Sequence, residues 1–122
     1  MKRATIVVAD DHPMMRATLR KMLEPDHDVI GSVEDGRALV KTALELKPDM
    51  VVLDLGLPLL NGLEAARQLK KQLPEVKLVF LTMNRDPDIA REALRIGASG
   101  YVMKDAMGEE LPQVLQNALQ GA

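Results

Sequence analysis

The 122-residue chain has no cysteine and no tryptophan, and its only phenylalanine and tyrosine are Phe80 and Tyr101. Without cysteine there is no disulfide frame, thiolate zinc site or iron–sulfur cluster, an absence that suits the cytoplasm. Two aromatics cannot build stacking platforms for single-stranded nucleic acid or walls around a flavin. Surplus basic charge is lacking too, since 16 Lys and Arg against 18 Asp and Glu leave a net charge of −2. The field that draws a surface onto nucleic acid or anionic lipid is therefore missing. No apolar run reaches the roughly 20 residues of a membrane span, and no Gly-rich loop of the Walker type is present to hold a nucleotide. These exclusions lead to the expectation of a small acidic cytoplasmic domain that itself binds neither nucleic acid nor membrane.

What is present is alternation. Short apolar runs read as strands at Ala4–Ala9, Val29–Val33, Met50–Leu53, Lys77–Leu81 and Gly100–Met103. Several are apolar at consecutive positions, as parallel strands covered on both faces require. Helical stripes lie between and after them, the cleanest being Leu111, Val114, Leu115, Ala118 and Leu119 at i, i+3, i+4, i+7 and i+8. Pro25, Pro48 and Pro74 each follow a stripe, where a residue without an N–H stops a helix. Asp86-Pro87 predicts an N-cap and first helical residue, and Gly97 the C-terminal cap of the same helix. Pro112 belongs in the first turn of the last helix, or that helix starts later than its stripe. Five strand–helix repeats predict a doubly wound α/β domain with helices on both faces.

In such sheets chemistry gathers at the carboxyl ends of the strands, beside the point where strand order reverses. Strand 1 runs into Asp10-Asp11, strand 3 into Asp54, strand 4 into Thr82 and strand 5 into Lys104. Taken singly these are a helix cap opened by Pro13, a turn residue, a β-branched strand residue and a solvated charge. Taken together they cluster at one edge, where three carboxylates repel one another unless a cation resides there. Oxygen ligands without histidine or cysteine suit a hard cation such as Mg²⁺, which keeps several waters and accepts phosphoryl oxygens. Carboxylate, cation, lysine and hydroxyl form a set for in-line phosphoryl transfer to an aspartate, with positioning and charge neutralisation carrying the reaction.

These residues, together with Leu53-Asp54-Leu55-Gly56-Leu57-Pro58, Asn61-Gly62, Leu81-Thr82 and the run from Gly97 to Asp105, resemble the receiver domain of two-component response regulators. The last run is most similar to the LuxR/NarL-type subfamily. The resemblance covers residues 1–122 and implies a flavodoxin-like (βα)5 fold with a parallel sheet of order 2-1-3-4-5. It implies Asp54 as the phosphoacceptor, Asp11, Asp54 and the Gly56 carbonyl as Mg²⁺ ligands, and Asp10 acting largely through water. Lys104 would bind a phosphoryl oxygen, Thr82 would swing to the phosphoryl group, and Tyr101 would follow inward. Pro58 and Gly62 would shape the loop after strand 3. The implied partners are a sensor histidine kinase or phosphotransfer protein and a second receiver, through helices 1 and 5 or through helix 4, strand 5 and helix 5. The implied output is transcription, through a C-terminal helix-turn-helix effector domain absent from these residues.

Met83 stands where the family usually carries a small residue, so a thioether shields the phosphoryl site. Gly56 and Asn84 occupy positions that bear on self-dephosphorylation. The chain is expected to accept a phosphoryl group rather than turn over as an enzyme. An aspartyl phosphatase of the haloacid-dehalogenase type needs a second acid two residues after its nucleophile, and Gly56 stands there. A degenerate receiver would lack part of the Asp10, Asp11, Asp54, Thr82 and Lys104 set, and a flavodoxin-like carrier would need aromatic walls. His12 reads as a helix-start residue beside the site before it reads as a metal ligand or phosphotransfer group. Arg67, Lys70 and Lys71 read as a solvated helix face.

Overall fold

In the computed structural model, which describes residues 3–121, the five predicted repeats form β1 (Thr5–Ala9), α1 (Pro13–Leu23), β2 (Asp28–Val33), α2 (Gly36–Leu46), β3 (Met50–Asp54), α3 (Gly62–Gln72), β4 (Lys77–Thr82), α4 (Pro87–Ile96), β5 (Gly100–Met103) and α5 (Met107–Leu119). Residues 1, 2 and 122 of the expected span lie outside the described part. The strands form one parallel sheet of order β2-β1-β3-β4-β5, as expected. Strand order reverses between β2 and β3, on either side of β1, so the carboxyl end of β1 opens onto the crevice that parallel α/β sheets use.

Alternation along each strand divides the core. Ile6, Val8, Met50, Val52, Val79 and Leu81 face α1 and α5, whose Leu19, Leu23, Leu111 and Leu115 cover them. Val7, Ala9, Val51, Leu53, Leu78 and Phe80 face α2, α3 and α4, through Leu39, Ala66, Leu69 and Ala93. Both faces are covered, which is why β1, β3 and β4 read as unbroken apolar runs. The edge strand β2, only half-buried, does not.

β3 and β4 each run one residue further than their apolar stretches, taking in Asp54 and Thr82 as final residues. β1 starts at Thr5 because the Ala4 N–H turns aside to donate to His27 Nδ1 at 3.2 Å. Asp86 caps α4 as expected, accepting from the Asp88 N–H at 2.9 Å, and Gly97 ends it at φ 114°. Pro112 departs from expectation. It lies in the second turn of α5, because that helix starts at Met107 rather than later. Met107 and Leu111, one turn apart, are both buried, and their burial outweighs the hydrogen bond that Pro112 cannot donate. The basic residues of α3 also depart from the expected solvated face, except for Lys71, which is exposed. Arg67 reaches Glu92 on α4 at 2.6 Å, and Lys70 donates to the Val76 carbonyl at 2.6 Å.

Candidate functional site

The three buried polar side chains among the described residues are Asp10, Asp54 and Thr82, all at strand carboxyl ends. Lys104, directly after β5, extends between the two acids. Its Nζ lies 2.8 Å from Asp10 Oδ2 and 3.1 Å from Asp54 Oδ2. The Asp54 contact is a hydrogen bond; the closer approach to Asp10 Oδ2 is an ion pair outside hydrogen-bond geometry, leaving that buried oxygen without a donor. Burial works against the Lys104 charge, but Asp10 and then Asp54 outweigh it and hold the ammonium above its usual 10.5.

Asp54 is only 7% exposed. Its Oδ1 accepts from the Gly56 N–H at 3.0 Å, a bond that aims the carboxylate along the mouth of the site. The loop that follows folds back over β3, with the Gly62 N–H donating to the Leu55 carbonyl at 3.0 Å. A Cβ at Gly62 would stand 2.4 Å from the Asp54 carbonyl oxygen, so the residue at this crossing must be glycine. Pro58, itself exposed, accepts from the Gly36 N–H at 3.1 Å and so ties the loop to α2.

Neither acid of the Asp10-Asp11 pair caps α1. His12 is the N-cap residue, without a side-chain cap, and Asp10 Oδ1 accepts from the His12 N–H at 2.9 Å. The His12 ring turns back onto the pair, with Nδ1 at 3.1 Å from Asp10 Oδ1 and 3.0 Å from Asp11 Oδ1. Arg16, one turn into α1, donates to the Asp10 carbonyl at 2.6 Å. Neither contact is encoded by strand-end spacing; only the close turn before Pro13 hints at them.

The other side of the site is a run of short turns. Thr82 Oγ1 accepts from the Asn84 N–H at 2.9 Å, and Asn84 Oδ1 accepts from the Asp86 N–H at 2.9 Å. Asn84 thus joins Thr82 to the α4 cap, while exposed Met83 lines the mouth without closing it. Tyr101 pairs in register with Phe80. Its ring is half-buried, but its hydroxyl is buried without a hydrogen-bond partner. Burial pushes the phenol above its usual 10.0, against the pull of the nearby Thr82 hydroxyl, which closes no bond to it.

These residues surround an open cleft of about 480 Å³ that Asp11, Asp54, Gly56, Thr82 and Lys104 line. A larger concavity, about 1040 Å³, lies at the amino ends of the strands between Arg3, Lys47 and Leu119; it holds none of the clustered acids. One ligand atom each from Asp10, Asp11, His12 and Asp54 lies within 4.8 Å of the others. A mostly carboxylate donor set with one buried oxygen lacking a donor fits a hard divalent cation. No helix among the described residues is long and apolar enough to cross a membrane.

Comparison with known proteins gives the family and the fold. The family model described as response regulator receiver domain matches residues 6–116. The nitrate/nitrite response regulator protein NarL of Escherichia coli strain K12 is 38% identical over 121 residues, 97% of this chain and 56% of NarL. The transcriptional regulatory protein DegU of Brevibacillus brevis is 33% identical over 118 residues, 95% of this chain and 50% of DegU. The chain thus spans about half the length of these relatives. A LuxR-family two-component response regulator from Aurantimonas sp. SI85-9A1 superposes with a TM-score of 0.93 at 34% identity, over 98% of this chain and 87% of that one. The isolated receiver domain of RcsB from Salmonella enterica serovar Typhimurium, with phosphomimetic BeF3−, gives a TM-score of 0.90 at 30% identity, over 99% of this chain and 91% of that one. The chain belongs to the response regulator receiver domain family, with LuxR-family regulators of the NarL and DegU kind among its relatives.

Proposed function

We propose that Asp54 is the phosphoacceptor of a switch domain and that its phosphorylation controls output. The observation that carries this reading is the contact of Lys104 with both Asp54 and Asp10 at the mouth of the cleft. Asp54 Oδ2 attacks phosphorus, the bond from phosphorus to the donor's nitrogen or oxygen breaks, and the leaving group takes a proton. Asp10, Asp11, Asp54 and the Gly56 carbonyl would hold Mg²⁺, which when bound neutralises charge on the transferring phosphoryl group. Lys104 stays beside the same oxygens and offsets the remaining charge, while the Gly56 N–H keeps the other Asp54 oxygen out of the attack. Thr82 can exchange the Asn84 N–H for a phosphoryl oxygen, and Tyr101 can then settle into the space beside it.

Having no nucleotide-binding loop, the chain takes its phosphoryl group from the phosphohistidine of a kinase or phosphotransfer protein. It is consumed stoichiometrically, not as a turnover enzyme, and it works in the cytoplasm. The α4–β5–α5 surface would carry the signal to a second receiver or to a DNA-binding effector domain in a longer regulator. Structures of the relative RcsB include a complex with DNA.

The test is chemical. With Mg²⁺ and acetyl phosphate, intact mass spectrometry should show about 80 Da added, one HPO₃ as an acid-stable, base-labile acyl phosphate. Peptide mapping should place it on Asp54. Labelling that persists in Asp54→Asn would falsify the assignment.

A further inference from the structure

The His12 imidazole turns inward although nothing in helix capping asks it to. As the N-cap residue of α1 it makes no side-chain bond to the helix, and with its side chain 69% exposed it gains little by burial. Yet Nδ1 stands 3.0 Å from Asp11 Oδ1 and 3.1 Å from Asp10 Oδ1. Two arrangements satisfy that geometry. A proton on Nδ1 can donate to both carboxylates, or the Nδ1 lone pair can share a cation with them. A bare lone pair facing two carboxylates is repulsive, so one or the other is required. The spacing suits the second as well as the first, because adjacent ligands of an octahedral ion with bonds of about 2.1 Å stand about 3.0 Å apart. The Nδ1 atom also lies, with one oxygen each of Asp10, Asp11 and Asp54, in a group whose members are all within 4.8 Å of one another.

We propose that His12 is a nitrogen ligand of the cation site, turning an all-oxygen centre into a mixed one that favours first-row transition cations over Mg²⁺. The proposal rests on the cation site of the preceding reading. Carboxylates alone suit Mg²⁺, whereas imidazole adds affinity for ions from Fe²⁺ to Zn²⁺. The exposed ring leaves solvent room for the remaining waters of an octahedral ion. The His12 N–H to Asp10 bond, at 2.9 Å, fixes the turn that aims the ring.

The experiment measures Co²⁺ and Mg²⁺ affinities by calorimetry at one neutral pH, for the parent protein, His12→Ala and His12→Asn. Asparagine is a strong N-cap, so the second variant keeps α1 intact and returns an oxygen donor near the lost nitrogen. Both variants should lose about tenfold or more in Co²⁺ affinity while Mg²⁺ affinity stays within about twofold. With Zn²⁺ as a diamagnetic probe, the imidazole Nδ1 signal of His12 should move and that of His27, at the amino ends of the strands, should not. Either an unchanged Co²⁺-to-Mg²⁺ ratio in both variants or an unmoved His12 Nδ1 signal overturns the proposal. A parent protein that binds no Mg²⁺ overturns the underlying site instead, so the two failures are distinct.

Discussion

The Thr82 hydroxyl accepts from the Asn84 N–H at 2.9 Å, and through that bond the carboxyl end of β4 is joined to the cap of α4. Asn84 Oδ1 holds the Asp86 N–H, and Asp86 Oδ1 holds the Asp88 N–H, each at 2.9 Å. A Thr82 rotamer turned toward a phosphoryl oxygen gives up the first of these bonds and loosens the others in turn. Tyr101 reports on the change alone, being the only tyrosine in a chain without tryptophan. In Thr82→Ala, beryllofluoride with Mg²⁺ should still bind at Asp54 while the Tyr101 fluorescence response is much diminished. A full response in that variant would mean that the ring moves independently of the hydroxyl.

Among the described residues, Lys104 is the one ammonium that touches Asp10 and Asp54. Replacing it by methionine keeps the aliphatic stem but leaves two buried carboxylates facing each other with Asp11 nearby. We expect a loss of about 1–3 kcal/mol by urea denaturation without metal. Asp54→Asn removes one of the repelling charges and should raise metal-free stability. Mg²⁺ should stabilise the parent by binding the folded form and do so less in Asp54→Asn. Identical urea midpoints with and without Mg²⁺ in the parent would count against an acidic cation site.

The Arg67–Glu92 pair ties α3 to α4 at 2.6 Å, with Glu64 and Arg95 extending it on each side at 3.1 Å. The hydrogen bond from Arg67, reinforced by the charge of Arg95, holds the Glu92 carboxyl below its usual 4.5. A carboxyl lowered on folding contributes stability that is fully present above the unfolded value and lost as pH falls through the folded one. Melting temperatures of the parent should therefore drop below pH 4.5 more steeply than those of Glu92→Gln. Added salt should narrow the difference, since the pair is partly exposed. Parallel curves for the two proteins would show that this contact does not hold α4.

Spacing along the chain reveals Asp10, Asp11, Asp54, Thr82 and Lys104 because a parallel sheet brings its strand ends together whatever lies between them. Topology does the assembling, and alternation of strand and helix is enough to infer topology. His12 and Arg16 are not visible in that way. Their contacts with Asp10 depend on the torsion angles of a short turn, which residue type alone does not specify. Arg67 looks like any exposed helical base until α4 is docked and Glu92 arrives opposite it. Pro112 misleads for a related reason: its cost is local and readable, whereas the burial of Met107 that outweighs it comes from packing against the sheet.

Gly56 carries no side chain to cover Asp54, the proposed phosphoacceptor. Its N–H holds Asp54 Oδ1 at 3.0 Å, so the backbone contribution survives substitution. A Cβ built there would stand 3.8 Å from Asp54 Oδ1 and 3.9 Å from Oδ2, ordinary contact distances. A larger side chain can therefore be added without moving the carboxylate, and it must extend over the mouth of the cleft. Leucine at this position covers the side from which water reaches an acyl phosphate and offers it no hydrogen bond. Gly56→Leu should lengthen the acyl-phosphate lifetime by up to about tenfold, equivalent to about 1.4 kcal/mol on the barrier. Loading by acetyl phosphate should slow in parallel, because donor and water approach through the same opening. The measurement is decay of the phosphorylated species by intact mass after the donor is removed. If loading slows while decay is unchanged, water reaches the phosphoryl group by another route, past Met83 and Asn84, and the control of lifetime lies on that side of the cleft.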